Sequence, residues 1–241
     1  PLYRWQGLHQ MLFASEIKAI RASGLYQGGV NLRACAAYLH ETRLDETNES
    51  FFEGIVQLSP GHCFELTLDG GHYSEWSFWS LENAQEAPHP HAAEEFAQAF
   101  EDAMRLHMRS DVPLGVNLSG GLDSTAILCE AARVRARDGA DTPLLAFAYQ
   151  DKVFDESRYI KDTLAQTGAR LIQMELSPQQ LWNSIPNVLA MQDEPVHSMA
   201  AVIGYHLSAL AQQHGVKVVL NGQGADEVLA GYGNYFKVRW L

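Results

Sequence analysis

Apolar and polar positions divide the chain into two regimes. Over residues 1–80 the apolar runs are short and punctuated by turns. Runs at 2–5 and 11–13 enclose a polar turn. Ser15 is placed to cap a short helix over 16–22, and Asn31 to cap another carrying Leu32, Cys35, Ala36 and Leu39 on one face. Ser59-Pro60-Gly61 is a turn signal, and runs at 63–68 and 73–79 flank Asp69-Gly70-Gly71 as a hairpin. Residues 81–91, mostly polar with two prolines, read as a linker. From 92 onward helix and strand alternate. A helix over 92–108 carries Phe96, Phe100 and Ala103 on one face. A strand at 112–118 is followed by a helix at 124–137, a strand at 144–149 by a helix at 156–167, and a strand at 171–176 by helices at 178–191 and 199–214. A last strand at 216–220 closes the series. Val- and Leu-rich strands in this rhythm predict an α/β fold, a parallel sheet with helices on both faces.

Composition narrows the class of molecule. The chain has 241 residues, 46% of them hydrophobic and 19% charged, enough for one large or two ordinary domains. No apolar run approaches the roughly 18 residues of a membrane helix, so no membrane partner is expected. A net charge of −12 argues against a nucleic-acid partner. It also means that an anionic ligand must be held by local features against the overall field. Cys35, Cys63 and Cys129 form no C-x-x-C pattern, which fits a reduced, cytoplasmic protein. The chain opens on Pro1, and the expectation is a fragment whose natural start is missing.

Candidate chemistry lies where strands meet helices. Leu118-Ser119-Gly120-Gly121-Leu122-Asp123-Ser124 compresses a strand end, a glycine turn and a helix start. Unpaired N–H groups and the helix dipole make such a junction an anion site, and glycine lets phosphate approach the backbone. Asp123 inside it would repel phosphate unless a divalent cation intervened, so a nucleotide with Mg²⁺ is expected. The Gly-Lys-Ser/Thr ending of a Walker loop is missing. Asn221-Gly222-Gln223-Gly224-Ala225-Asp226-Glu227 repeats the pattern after the last strand. Ligands of parallel sheets bind beyond strand C-termini, so both loops are expected to face one pocket, with Asp226 sharing the metal with Asp123. Three other segments are ambiguous. Asp155-Glu156-Ser157 reads first as a helix cap. Asp193-Glu194-Pro195, before His197 and Ser198, is a surface turn or a loop near substrate or metal. Tyr73, Trp76, Phe78 and Trp79 suit a core or interface better than a ligand site.

Ser119 to Ser124 resembles the PP-loop of the N-type ATP pyrophosphatases, which cleave ATP between its α and β phosphates. Phe13-Ala14-Ser15-Glu16-Ile17-Lys18-Ala19 and Leu58-Ser59-Pro60-Gly61-His62 resemble the end of the glutaminase domain of glutamine-dependent asparagine synthetases. Asp193-Glu194-Pro195 and 221–232 resemble that family's synthetase domain. The resemblance covers essentially the whole chain. It implies the C-terminal part of an N-terminal-nucleophile α+β glutaminase domain over 1–80, the linker, and a truncated synthetase domain over 92–241. It implies ATP and Mg²⁺, with aspartate or a related carboxylate as acceptor and glutamine-derived ammonia as nucleophile. A homodimer is compatible. Pyrophosphate would lie on the loop running through Ser119, Gly120, Gly121 and Leu122 to Ser124. Adenine would lie against Leu118, the Phe147 region and the backbone of Asn221 and Gly222. Asp123 and Asp226 would hold Mg²⁺, and Gln223 would face the acyl-adenylate.

The family often has Ser-Gly-Glu where this chain has Asn221-Gly222-Gln223. A neutral amide cannot act as a carboxylate, which leaves the acceptor open: a β-lactam-forming or peptide-tailoring ligase, or a non-catalytic nucleotide binder, has the same frame. The family's cysteine nucleophile falls upstream of Pro1 and its catalytic lysine downstream. Lys237 is not assigned that role. The isolated chain is therefore expected neither to hydrolyse glutamine nor to make asparagine.

Overall fold

The computed structural model describes residues 1–69, 71–83, 90–139, 143–150, 156–196, 198–233 and 235. Gly70 of the expected hairpin turn, most of the expected linker (84–89), Asp155, His197 and Lys237 lie outside them. Two compact units form: residues 1–88 with 185–198, and 89–184 with 199–241.

In the first unit, strands β1 (Tyr3–Gln6), β2 (Met11–Ala14) and β3 (Ile55–Gln57) make an antiparallel sheet in the order β2-β1-β3. Helix α1 (Ile17–Ala22) buries Ile17 and Ile20 with Ile55 beside Trp5, Leu12 and Phe52. Its N-cap is Glu16 with no side-chain cap bond, so the capping expected of Ser15 is not made. Asn31 does cap α2 (Leu32–Glu41), its Oδ1 accepting from the N–H groups of Arg33 and Ala34 at 3.2 Å. Among the described residues the expected apolar face of α2 is nevertheless largely uncovered: Leu32 and Leu39 are 75% and 81% exposed. Strands β4 (His62–Leu66) and β5 (Tyr73–Ser77) pair as the expected hairpin. A ring stack joins it to the first sheet, from Phe13 to Phe64 at 4.9 Å and Phe64 to Tyr73 at 5.5 Å, with Arg4 over Tyr73. Trp76, Phe78 and Trp79, by contrast, are exposed.

The second unit is α/β. Strands β6 (Leu114–Asn117), β7 (Leu145–Tyr149), β8 (Arg170–Met174) and β9 (Val218–Leu220) pair in parallel, in the order β8-β7-β6-β9. Alternation along β7 assigns the faces. Ala146 and Ala148 pack with Met104 of α3 (Ala92–His107), Leu128 and Ala131 of α4 (Leu122–Arg137) and Ile160 of α5 (Ser157–Thr167). Leu145 and Phe147 pack with Leu207, Leu210 and Ala211 of α7 (Ala200–Gln213), which follows α6 (Pro178–Gln192). Helices therefore cover both faces, as the patterning predicts. The chain steps outward from β6 to β7 and β8, then returns to the opposite side of β6 as β9. That reversal leaves a crevice beyond the C-terminal ends of β6 and β9.

Candidate functional site

The loop after β6 begins inside the sheet, where the Leu118 N–H still donates to the Phe147 carbonyl at 2.8 Å. Gly120 then turns the backbone at φ +97°, in the left-handed region, and a Cβ there would meet the Glu156 Cβ at 2.8 Å. Glycine is required at 120 on both counts. Helix α4 starts at Leu122 with Gly121 as its N-cap, two residues earlier than the patterning suggests. Ser124, buried at 6% exposure, braces the turn: its Oγ donates to the Gly121 carbonyl and accepts from the N–H and hydroxyl of Ser119. The Gly121 N–H in turn donates to the Ser119 Oγ. The two hydroxyls thus hold the loop's shape. The N–H groups of Leu122, Asp123 and Ser124, in the first turn of the helix, have no intrahelical acceptor to satisfy them.

The loop after β9 comes against this one. Asn221 Oδ1 accepts from the Gln223 N–H at 3.0 Å, closing a side-chain turn. Gly222 sits so close that a Cβ would lie 2.9 Å from the Asp123 Cβ and 3.2 Å from the Ser124 nitrogen. Helix α8 (Ala225–Leu229) follows and ends at Ala230 in a left-handed conformation. That turn folds Gly231 onto Asp226, where any Cβ would collide with the carboxylate. It also brings the Tyr232 hydroxyl to donate to Glu227 at 2.9 Å. The hydrogen bond to Glu227, before all other causes, raises the pKa of the Tyr232 phenol.

Both loops line one cavity of about 590 Å³, within the size of small-molecule sites. Leu118, Ser119, Gly121, Asp123, Ser124, Phe147, Asn221, Gly222, Gln223 and Asp226 all border it. Two residues of the expected set do not: Gly120 backs onto Glu156, and Leu122 is 83% exposed. Residues unmarked by sequence reasoning also border it. They include Asn117, Tyr149, Gln150 and Gln173 at the sheet edge and Ala200, Ile203, Gly204 and Leu207 from α7, while Glu156, Glu227 and Tyr232, from segments already singled out, border it too. The strand residues among them could have been flagged by their places near strand C-termini. Those of α7 carried no signal. Glu156 makes no side-chain cap bond at the start of α5, so the capping expected there is not its task. Asp193 and Glu194 do not border the cavity.

The charge balance of the cavity is one-sided. Asp123, Glu156, Asp226 and Glu227 border it, and none of its described lining residues is Lys, Arg or His. Among the described residues no group of three or more His, Cys, Asp or Glu side chains could hold a metal unaided. Two carboxylates on adjoining loops suit an ion of the Mg²⁺ kind, which takes one or two carboxylates and completes its shell from substrate phosphates and water. Cys35, Cys63 and Cys129 are free, and no helix among the described residues is long and apolar enough to cross a membrane.

Residues 95–241 match the family described as asparagine synthase, and residues 1–79 match a glutamine amidotransferase domain. The glutamine-hydrolyzing asparagine synthetase 1 of Bacillus subtilis is 28% identical over 98% of this chain and 36% of its own length. A putative glutamine-hydrolyzing asparagine synthetase of Mycobacterium tuberculosis is 36% identical over 59% of this chain and 21% of its own length. The amidase chyE of Penicillium rubens is 23% identical over 92% of this chain and 35% of its own length. The chain thus spans 36% or less of each of these relatives.

Proposed function

The chain belongs to the asparagine synthase family, and from that premise we propose that it carries the ATP site of a ligase that amidates aspartate to asparagine with glutamine-derived ammonia. The observation carrying this reading is the approach of Gly222 to Asp123, which sets two glycine–aspartate loops against each other at the reversal of the sheet. In this reading, phosphate lies on the free N–H groups at the start of α4, favoured by the helix dipole. Asp123 and Asp226 hold Mg²⁺. The metal, when bound, neutralises phosphate charge and improves pyrophosphate as a leaving group. Without it a triphosphate would enter a cavity bordered by four carboxylates and no described cation. The aspartate side-chain carboxylate attacks the α-phosphorus, the bond to the bridging oxygen breaks, and pyrophosphate leaves. Ammonia then attacks the acyl carbon and AMP departs. Gln223 borders the cavity where the acyl group would sit, and its amide offers hydrogen bonds without charge. Residues 1–80 are the end of the glutaminase domain that supplies ammonia, joined by the 81–91 linker to the synthetase part at 92–241.

A same-fold ligase acting on another carboxylate is the second reading, favoured by the neutral Gln223 and by the match to an amidase over 92% of the chain. Pyrophosphate release by the full-length protein with ATP·Mg²⁺, ammonia and a panel of carboxylates separates them. Release that depends on aspartate, and is abolished in Asp123→Ala and Asp226→Ala, supports the first. Release with a different carboxylate only supports the second. ATP binding with no release for any carboxylate would mark a non-catalytic nucleotide binder.

A further inference from the structure

One polar atom in the cavity wall is unaccounted for. Asn117 borders the cavity, yet its Oδ1 is buried and accepts no hydrogen bond among the described residues. It is the sole described side-chain atom in that condition. Buried acceptors are nearly always satisfied, so an orphan calls for a physical reason. Its location offers one. A Cβ at Gly115 would meet the Phe147 ring and Val216, which places Gly115 on the face of the sheet covered by α7. Asn117, two residues along the same strand, presents to that face as well. There the cavity is bordered by Phe147, Ile203, Gly204 and Leu207, an apolar stretch unlike the loops at 119–124 and 221–227.

A nucleotide with phosphates on the loops would direct its flat, weakly polar base toward this apolar stretch. We infer that Asn117 is a specificity-determining residue of the proposed nucleotide site, its carbonyl oxygen accepting from the exocyclic 6-amino group of adenine. Rotation about χ2 would carry that oxygen from the wall toward the cavity. Guanine presents an acceptor at position 6, which this oxygen cannot satisfy, so its binding would require the carboxamide to turn over and present its NH2 instead. The inference rests on the nucleotide reading of the cavity and adds to it the residue that selects the base.

The test pairs a ligand deletion with a side-chain deletion in the full-length protein, by equilibrium binding with Mg²⁺. ATP is compared with purine riboside triphosphate, which lacks the 6-amino group. Wild type is expected to prefer ATP by about tenfold, the worth of one hydrogen bond. Asn117→Leu is expected to bind both alike while keeping or raising the melting temperature of the ligand-free protein, since it removes an unsatisfied amide. A residue that is merely structural would do the reverse, lowering the melting temperature and leaving the preference intact. Asn117→Ala provides the same comparison should the leucine variant not fold. Equal binding of the two nucleotides by wild type, or a preference that survives both substitutions, overturns the inference and leaves the nucleotide reading standing. Failure of wild type to bind either nucleotide overturns both.

Discussion

Two Asp-Glu pairs, one in each unit, show how little a dipeptide says about its use. Asp193-Glu194 in the first unit is consumed by neighbouring backbone. Asp193 Oδ2 accepts from the Lys18 N–H at 3.0 Å and lies 3.3 Å from the Lys18 ammonium, with its side chain only 7% exposed. Glu194 Oε1 accepts from the Phe51 N–H at 2.8 Å. The Tyr38 hydroxyl and the Lys18 ammonium donate to the Val196 and Met191 carbonyls of the same segment. Among the described residues, Asp226-Glu227 in the second unit meets no such donors from surrounding backbone. Gly231 packs beneath Asp226, Tyr232 steadies Glu227, and both acids border the cavity. The first pair is an anchor, and the second is open to a ligand. The difference lies in the donors that the fold brings to each.

Exchanging charge for amide in each pair tests the contrast most strongly. Asp226→Asn is expected to cut ATP·Mg²⁺-dependent pyrophosphate release by the full-length protein about 100-fold with little change in melting temperature. Asp193→Asn is expected to do the opposite, costing about 1 kcal/mol of stability by weakening a charge-assisted hydrogen bond and leaving release nearly intact. Equal effects of the two variants on either readout would break the distinction.

A second test concerns the contact that defines the site. Gly222→Ala places a Cβ 2.9 Å from the Asp123 Cβ, so backbone or side chain must move. Overpacking of this kind costs about 2 kcal/mol. Thermal unfolding should show that loss, and ATP affinity should fall with it, because the loops are forced apart.

The smallest expected effect is one of pH. Burial, before the nearby Asp45 and Asp193 charges, raises the Glu194 pKa, against the opposing Phe51 N–H. A carboxyl whose folded pKa is raised binds its proton more tightly in the folded state. Its contribution is therefore full below the unfolded pKa and is lost as pH rises through the folded one. Glu194→Gln keeps the acceptor and removes the titration. Melting temperatures of wild type and variant should agree in acid and separate by a degree or two as pH rises above the ordinary glutamate range, the variant being the more stable. A wild type that gains on the variant as pH rises would contradict the sign of the shift.

Much of this was legible locally. Asn31 caps its helix because an Asn before an amphipathic run satisfies N–H groups next to it in sequence. The rhythm from residue 92 yields four parallel strands because alternating Val/Leu-rich runs and helices have few other ways to bury their apolar faces. Other expectations failed where the outcome depended on a partner remote in sequence. The face of α2 bearing Leu32 and Leu39 has the right period and is uncovered among the described residues. Lys18, in a segment from which no chemistry could be read, turns out to hold Asp193.

By itself, then, the sequence determined the strand–glycine–helix junction at 118–124, its echo at 221–227, and the α/β rhythm placing both at strand ends. Those features rest on steric and hydrogen-bonding rules acting over a few residues. Only the tertiary structure decided that β9 returns beside β6, so that Gly222 meets Asp123. It alone separated Asp226 from Asp193, and left Asn117 in the wall with an unmatched acceptor. The physical reason is common to all three: the free energy of a polar group is set by the donors, acceptors and water around it, and the fold supplies these from parts of the chain far away in sequence.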